Sequence, residues 1–284
     1  MAISFCVLGS GSGGNCTLLK LDTDGGHRYM LIDAGLSPRK TMARLAPLGI
    51  TTDDITDVLL THVDTDHLHR GWFAADVPPP FTWRAHHRHI HRVVQAGVPV
   101  RRTEPFETVV ELGDRTLVEA TLLPHDHLGS TGFVVDHRGA RLGFATDLGR
   151  ATTSLLDRFT RLDALAIESN YDPALQLAAA RPAALKQRIM GGTGHLSNEQ
   201  CFEAVTQIAA QSKLSQIVLL HLSRQCNDPR LITSHYAAAS PELLDRLTIT
   251  SQFEPTQLLP VHKKGRRGKP VTARNGQQLA MFDA

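Results

Sequence analysis

The sequence predicts a layered α/β fold in which sheets are buried under helices. Strand-like apolar runs recur along the chain, and several of them are separated by segments with helical periodicity. Hydrophobic residues make up 42% of the 284 positions, which is enough for one large core or two modest ones. Strands and helices mixed throughout a chain are typical of folds with covered sheets.

The predicted elements follow one another in a mixed order. The strand-like runs are SFCVLGS, CTLLKL, YMLIDAG, DVLLTH, TLVEATLLPH, TGFVVDH, ARLGFATD, ALAIES and QIVLLH. The helical patterns are SPRKTMARLAPLG, HHRHIHRVVQAG, TTSLLDRFTR, DPALQLAAARPAALKQRIM, SNEQCFEAVTQIAAQS and SPELLDRL.

Polar residues stand where the chain leaves several of these strands. Because strands hold their ends rigidly, polar side chains at one edge of the sheets can converge on a single pocket. The residues in question are Asp33, His62, His125, Asp147, Glu168 and His221. We therefore expect a functional site at that edge.

The segment HVDTDH adds more candidate ligands, since His62, Asp64, Asp66 and His67 follow the strand-like run DVLLT. Side chains two positions apart on an extended loop can face one cation, and the neighbouring Asp66 and His67 can turn to a second. Taken alone, the aspartates could instead cap a following helix. Together with the later strand ends, the segment favours a site for two metal ions.

Composition narrows the class of protein. No apolar run approaches the roughly 20 residues that span a bilayer, and the first residues lack a charged leader, so we expect a cytoplasmic protein without membrane contact. The four cysteines form no C-x-x-C pair, which argues against disulfides and a thiolate zinc site. Basic residues concentrate near the end of the chain. The predicted division is a folded domain over residues 1–258 and a flexible basic tail over residues 259–284.

The ordered motifs resemble those of the metallo-β-lactamase superfamily, whose usual motif is H-x-H-x-D-H. HVDTDH matches it at His62, Asp66 and His67, with Asp64 in the place of the second histidine. The remaining motifs also appear in family order: LIDAG before this segment, and PHDHLGSTG, ATDLG and LLHLS after it. The resemblance implies a hydrolase domain with a four-layer αββα sandwich and a two-metal site at one edge.

A finer resemblance concerns GSGSGGNC, ESNYD, GHLSN and HLSRQCNDP. They are similar to a small bacterial branch related to ribonuclease Z and associated with 5′-to-3′ exonuclease action on double-stranded DNA. That branch tends to have ESNHD where this chain has Tyr171. Between Asp147 and His221 three predicted helices and a strand leave no room for the inserted domain of larger members.

The resemblance also implies roles for single residues. Site one would consist of His62, Asp64 and His125, site two of Asp66, His67 and His221, and Asp147 would bridge them. Asp33 would orient a ligand histidine. His127 competes with His125 as a ligand, and Gly132, seven residues after His125, favours the latter.

Asp64 changes the expected metal chemistry. A carboxylate in place of an imidazole favours harder cations such as Mn²⁺ over Zn²⁺, and site one could be weak or partly empty. In the alternative interpretation Asp64 withdraws and accepts a hydrogen bond, while His69, His127 or water completes the shell.

Catalysis would use an activated hydroxide held by two metals. His195 in GHLSN, oriented by Glu168 in ESNYD, is the candidate proton donor by resemblance to ribonuclease Z, although it could also simply begin a helix beside Ser197. Ser223 and Arg224 could hold a phosphate. The run HHRHIH, with His87 and His91 on one helix face, lacks acids and is more typical of a solvated face.

The tail ends in GQQLAMFDA, which resembles the Q-L-x-L-F peptide that docks on the bacterial sliding clamp. Gln278, Leu279, Met281 and Phe282 would be the anchors, and the preceding basic linker could bind DNA. Alternatively, the tail folds back on its own core.

The sequence therefore predicts a metal-dependent phosphodiesterase, first of all a 5′-to-3′ DNA exonuclease that acts in replication or repair. The alternatives are an RNA or small cyclic-nucleotide phosphodiesterase, and a clamp-associated binding protein with a degenerate metal site.

Overall fold

The computed structural model describes residues 2–74 and 79–263. In this part of the chain the strands are β1 (Ile3–Gly9), β2 (Cys16–Thr23), β3 (Gly26–Ile32), β4 (Ile55–Leu60), β5 (Thr82–His86), β6 (Thr103–Phe106), β7 (Val109–Gly113), β8 (Thr116–Leu123), β9 (Ser130–His137), β10 (Ala140–Ala145), β11 (Ala164–Glu168), β12 (Gln216–Leu220), β13 (Leu247–Ile249) and β14 (Leu259–Val261). The α-helices are α1 (Pro38–Leu45), α2 (Ile90–Gln95), α3 (Thr153–Arg158), α4 (Pro173–Ala178), α5 (Ala183–Met190), α6 (Asn198–Ala210), α7 (Pro229–Ala239) and α8 (Pro241–Leu244).

The strands form two seven-stranded sheets with the same internal plan. The first sheet has the order β14-β1-β2-β3-β4-β5-β6, and the second has the order β13-β12-β11-β10-β9-β8-β7. In the first, β1 to β3 pair antiparallel and β3 to β6 pair parallel. In the second, β7 to β10 pair antiparallel and β10 to β13 pair parallel.

The two sheets pack face to face and bury both of their faces. Alternate residues of a strand point to opposite sides, so Phe5 of β1 lies in the core between the sheets with Phe133 of β9, while Leu8 lies in the outer core under α1 and α2. The outer face of the second sheet is covered by α3, α6 and α7. This arrangement is the predicted four-layer αββα sandwich.

Several elements differ from the sequence prediction. The long helical pattern DPALQLAAARPAALKQRIM forms two helices, α4 and α5, because Pro182 at the start of α5 cannot continue the preceding helix. Four helices rather than three therefore lie between Asp147 and His221. Helix α7 and the short strands β5, β6, β7, β13 and β14 are absent from the predicted set.

Strand β14 lies beyond residue 258, the predicted end of the folded domain. It pairs antiparallel with β1, with Val261 opposite Ile3. The sheet thus includes the first residues of the predicted tail, beyond the expected boundary at residue 258. The predicted clamp-docking residues, Gln278, Leu279, Met281 and Phe282, lie outside the described residues.

No helix in the described ranges has the length and apolar character that crossing a membrane requires. The four cysteines are all buried and free of disulfides, as the sequence predicts.

Candidate metal centre

Polar side chains from both sheets meet at one edge of the sandwich. β3 and β4 of the first sheet and β8, β10, β11 and β12 of the second all end there. The residues at or just after these ends are at most 5% exposed: Asp33, His62, His125, Asp147, Glu168 and His221. The edge therefore holds an unusual concentration of buried ionisable groups.

Three of these residues have a left-handed backbone. The φ angles are 61° at Asp33, 53° at Asp147 and 53° at His221. Such angles cost about 1 kcal/mol or more for a residue with a side chain, and they persist where the surrounding structure imposes them, often at functional sites. Here they turn the chain sharply as it leaves a strand.

Site one combines side chains from both sheets. The donor atoms of His62, Asp64 and His125 lie within 4.8 Å of one another. His125 Nδ1 donates a hydrogen bond to the Gly194 carbonyl oxygen at 2.9 Å, which leaves its Nε2 as the acceptor. His127 is exposed and belongs to none of the donor clusters in the described ranges. The geometry thus favours His125 over His127.

Asp64 faces two partners. Its Oδ1 accepts a hydrogen bond from Arg92 Nη2 at 2.9 Å, and its Oδ2 lies 3.9 Å from His62 Nε2. The side chain is 34% exposed. The carboxylate can therefore keep its arginine partner and still offer one oxygen to site one. His69 is engaged elsewhere, because its Nδ1 accepts from the Gly71 backbone at 2.9 Å.

Site two is more deeply buried. Its donors come from Asp66, His67 and His221, again within 4.8 Å of one another. Asp66 Oδ2 lies 3.7 Å from His67 Nε2 and 3.6 Å from His221 Nε2. Behind His67, the fully buried Asp33 accepts a hydrogen bond from its Nδ1 at 2.7 Å, which fixes the ring with Nε2 toward the other donors.

Asp147 lies between the two sites. Its Oδ2 is 3.0 Å from His67 Nε2 and 2.8 Å from His221 Nδ1, and it also clusters with His62 and His67. Burial alone would raise the pKa of Asp147, but the adjacent His221 and His67 lower it well below its usual value. Asp147 is therefore an ionised carboxylate in contact with both sets of donors.

The site carries an excess of negative charge. Burial alone would lower the pKa of His67, but the carboxylates around it, foremost Asp147 and Asp33, raise it well above its ordinary value. Surroundings that attract a proton this strongly also attract divalent cations. Mixed imidazole and carboxylate donors suit Zn²⁺ and Mn²⁺. The residues present therefore fit a centre for divalent metal ions.

His195 stands beside the donors. Its Nδ1 donates to Glu168 Oε1 at 2.7 Å, and the other Glu168 oxygen accepts from the Leu148 backbone at 2.9 Å. Burial would lower the pKa of His195, but Glu168 raises it to about 9. The helix beginning that the sequence suggests is also present, because Ser197 caps α6 through a capping box with Gln200.

Asn15 supports the loop after β4 that carries Asp64, Asp66 and His67, and the sequence does not indicate this role. Its Nδ2 donates to the Asp66 backbone carbonyl at 3.2 Å and lies 2.9 Å from His67 Nε2. A Cβ at Gly35 would lie only 1.7 Å from that same carbonyl oxygen, so only glycine permits this approach. The glycine-rich segment before Asn15 thus positions the loop, and the LIDAG motif needs its glycine for the same reason.

Several cavities open beside the donors, and two of them are lined by the histidines of the site. The larger, about 480 Å³, is lined by His125, His195 and His221 and also by Ser223 and Arg181. The smaller, about 400 Å³, is lined by site one and by Arg92. Arg224 is exposed and does not line the larger cavity. Two arginines, Arg181 and Arg188, do line it. Arg181 follows an alanine-rich helix, and nothing in its sequence context indicates a place in the site.

The histidine run after β5 divides into two groups. His87 and His91 are exposed, as predicted for a solvated face. His86 and His89 are buried, which the sequence did not predict. Burial lowers the pKa of His89 to about 4, so this ring is neutral near pH 7.

The fold and the donor geometry define a metallohydrolase, and a comparison with known families agrees. A family model described as "Beta-lactamase superfamily domain" matches residues 28–221. The match covers more than half of the chain and includes every residue of sites one and two. The chain belongs to the beta-lactamase superfamily and is a metal-dependent hydrolase.

Among similar proteins are two with nuclease names. Exodeoxyribonuclease YycJ of Bacillus anthracis is 28% identical over 235 residues, which cover 80% of this chain and 85% of that protein. Exodeoxyribonuclease WalJ of Streptococcus pneumoniae serotype 2 is 25% identical over 235 residues, covering 80% and 84%.

Solved structures share the fold at lower identity. Zn²⁺-bound PqqB from Methylobacterium extorquens aligns with a TM-score of 0.66 and 19% identity, over 89% of this chain and 100% of that one. The short form of human tRNase Z aligns with a TM-score of 0.59 and 14% identity, over 91% and 100%.

Proposed function

We propose that this protein is a metal-dependent phosphodiesterase, namely a DNA nuclease that degrades strands from the 5′ to the 3′ end in cytoplasmic replication or repair. The observation that carries the proposal is the pair of donor sets that share Asp147 and lie beside the His195–Glu168 pair. The exodeoxyribonuclease names of relatives that match 80% of the chain support DNA as the substrate.

Sites one and two would hold two divalent ions, with Asp147 shared between them. When bound, the ions would supply a nucleophile at neutral pH and neutralise charge on the phosphate. Asp33 and Asn15 hold the loop of site two in place before any ligand arrives. This preorganisation lowers the cost of assembling the site.

His195 is the residue that would deliver a proton to the leaving oxygen. Because its Nδ1 is occupied by Glu168, the Nε2 is the atom that can make the transfer. The ring lines the larger cavity, where a substrate strand would lie, and its side chain is 22% exposed. Glu168 is fully buried and is held by the Leu148 backbone, so it orients the ring firmly.

The basic tail would attach the enzyme to its place of action. We propose that residues 259–284 contain the clamp-docking peptide at Gln278, Leu279, Met281 and Phe282, and that the linker before it adds salt-dependent affinity for DNA. Truncation after Thr272 should abolish clamp binding while nuclease activity is retained. Clamp binding by the truncated protein would refute this part of the proposal.

A nuclease assay with labelled ends tests the activity. Protein loaded with Mn²⁺ or Zn²⁺ is offered 5′-phosphorylated duplex, single-stranded DNA, RNA, a cyclic nucleotide and bis-p-nitrophenyl phosphate, with Asp147→Asn as the inactive control. We expect release of nucleotides from the 5′ end of duplex DNA. Preference for RNA or the cyclic nucleotide would favour another phosphodiesterase. No turnover with any substrate would favour a binding protein with a degenerate site.

A further inference from the structure

Arg181 is one of the charged residues that line the larger cavity. Its Nη2 donates to Gln225 Oε1 at 2.9 Å and its Nη1 to Gln176 Oε1 at 3.3 Å. Within the described ranges no carboxylate forms an ion pair with it. Both of its partners are neutral amides, so they fix the guanidinium without cancelling its charge.

Two other arginines beside the site, Arg188 and Arg92, are paired with carboxylates. Arg188 binds Asp126 with two hydrogen bonds of 3.1 and 2.5 Å, and Arg92 binds Asp64 at 2.9 Å. Asp126 also lines the larger cavity, but its carboxylate is occupied by Arg188. A guanidinium that is positioned and unpaired is a ready partner for a phosphate, because its planar N–H groups match two phosphate oxygens.

One hydrogen-bond partner of Arg181 lies inside the fold. Gln176 is fully buried in α4, and its amide nitrogen has no hydrogen-bond partner in the described structure. The Gln176 amide oxygen accepts the hydrogen bond from Arg181 although the amide nitrogen is left buried without a partner, which costs free energy. This arrangement favours one orientation of the guanidinium. The break between α4 and α5 at Pro182 places Arg181 at the cavity rather than on a helix.

Besides Arg181, the cavity is lined by residues suited to contact the rest of a nucleotide. His125, His195 and His221 line it, so it opens directly on the metal centre. Leu185, Ile189 and Leu222 supply apolar surface on which a base or sugar can lie. A volume of about 480 Å³ is within the range of small-ligand sites.

We propose that Arg181 is a substrate-binding residue that holds a phosphate of the strand next to the bond that is cut, with the adjoining nucleotide in the larger cavity. This inference rests on the proposed nuclease function. The phosphate belongs either to the 5′ end of the strand or to the neighbouring internal linkage, and the two are chemically alike.

The test compares wild type with Arg181→Gln, Arg181→Lys and Gln225→Ala, each loaded with Mn²⁺, on 5′-phosphorylated and 5′-hydroxyl duplexes. Arg230→Gln is the matched control, because Arg230 is 89% exposed and paired with Asp228 on α7. Arg181→Gln should raise KM about tenfold or more with a smaller change in kcat. Arg181→Lys should recover part of the loss, and Gln225→Ala should show a smaller rise.

A KM effect confined to the 5′-phosphorylated duplex assigns the end phosphate, and an equal effect on both duplexes assigns the internal one. A KM for Arg181→Gln that equals that of Arg230→Gln would overturn the inference. Calorimetric binding of inorganic phosphate gives a second readout that does not depend on nuclease activity. Wild type and Arg230→Gln should bind it more tightly than Arg181→Gln, and equal affinity in all three would also overturn the inference.

Discussion

Site one and site two have donors of the same kinds but differ in what surrounds them. In site two, His67 is fully buried, Asp33 holds its ring through Nδ1, and Asn15 holds the loop at the Asp66 carbonyl. In site one, Asp64 is 34% exposed and is shared with the surface residue Arg92. We therefore expect the two sites to differ in metal affinity although their donors match, because the partners behind the donors set how much order must be gained on binding.

The largest effect on activity and metal binding is expected from a substitution of Asp147, which lies between the two sites. Asp147→Asn should lower kcat by more than about 100-fold and weaken metal binding at both sites, since outer partners alone account for 10- to 100-fold effects. Asparagine tolerates the left-handed backbone at this position, so the fold should persist. Calorimetric titration with Mn²⁺ and circular dichroism provide the measurements. Loss of only one binding event would show that Asp147 serves a single site.

A smaller effect, confined to site two, is expected from Asp33→Asn. Without its carboxylate partner the His67 ring loses both orientation and basicity, and affinity at site two should fall by about 10- to 100-fold. Asp53→Asn is the matched control, since Asp53 is an exposed carboxylate in the turn before β4. Equal losses of metal affinity at the two sites would contradict the expectation that Asp33 acts on site two alone.

In the unmodified protein, metal returned after chelation should bind in two steps. The first should fill site two and be tighter by about tenfold or more, because its donors are already ordered. At a metal concentration near 100 times the dissociation constant, the first step should add about 2.7 kcal/mol to the free energy of unfolding. A thermal melt at each metal ratio measures this gain. A single step with equal affinities would show that the surroundings do not matter.

Asp64→His should shift metal preference at site one by several-fold toward Zn²⁺ over Mn²⁺, because an imidazole replaces a hard carboxylate. Elemental analysis after loading with an equimolar mixture measures the ratio. An unchanged ratio and stoichiometry would mean that Asp64 is not a ligand.

The smallest effect should come from Arg92→Ala. Exposed ion pairs contribute about 0.2–1 kcal/mol, so release of Asp64 from Arg92 should change metal affinity at site one by no more than about fivefold. Tighter binding at site one, with site two unaffected, is the expected direction. A change at site two instead would indicate that Arg92 acts through the loop and not through Asp64.

Many of the individual strands, and the meeting of the candidate donors at one edge, could be predicted because these signals are local. A strand followed at once by an acid or histidine is visible in the sequence, and HVDTDH carries four such residues within one loop. Pro182 is also visible in the sequence, but the periodicity around it predicts one helix where the structure has two. The strands that were missed are three to five residues long, too short to show a period.

The partners behind the donors could not be predicted, because they come from distant parts of the chain. Asn15 meets Asp66 across 51 positions, and Arg181 meets Gln225 across 44. Arg92 lies on the helix at the end of the histidine run, and its pairing with Asp64 across 28 positions is not visible in the sequence. Such contacts depend on which distant loops the fold brings to the same strand edge, and no local pattern indicates this.

Each of the two sites takes donors from both sheets: His62 and His67 follow β4 in the first, whereas His125 and His221 follow β8 and β12 in the second. Bound ions would therefore also be cross-links between the two sheets, in addition to the hydrogen bonds from Thr131 N to Thr61 O and from His221 N to Ser10 Oγ at this edge. Amide hydrogen exchange at the ends of β4 and β12 should then slow when the ions bind. The exchange rate of these amides would therefore report whether the enzyme carries the metal ions that catalysis needs.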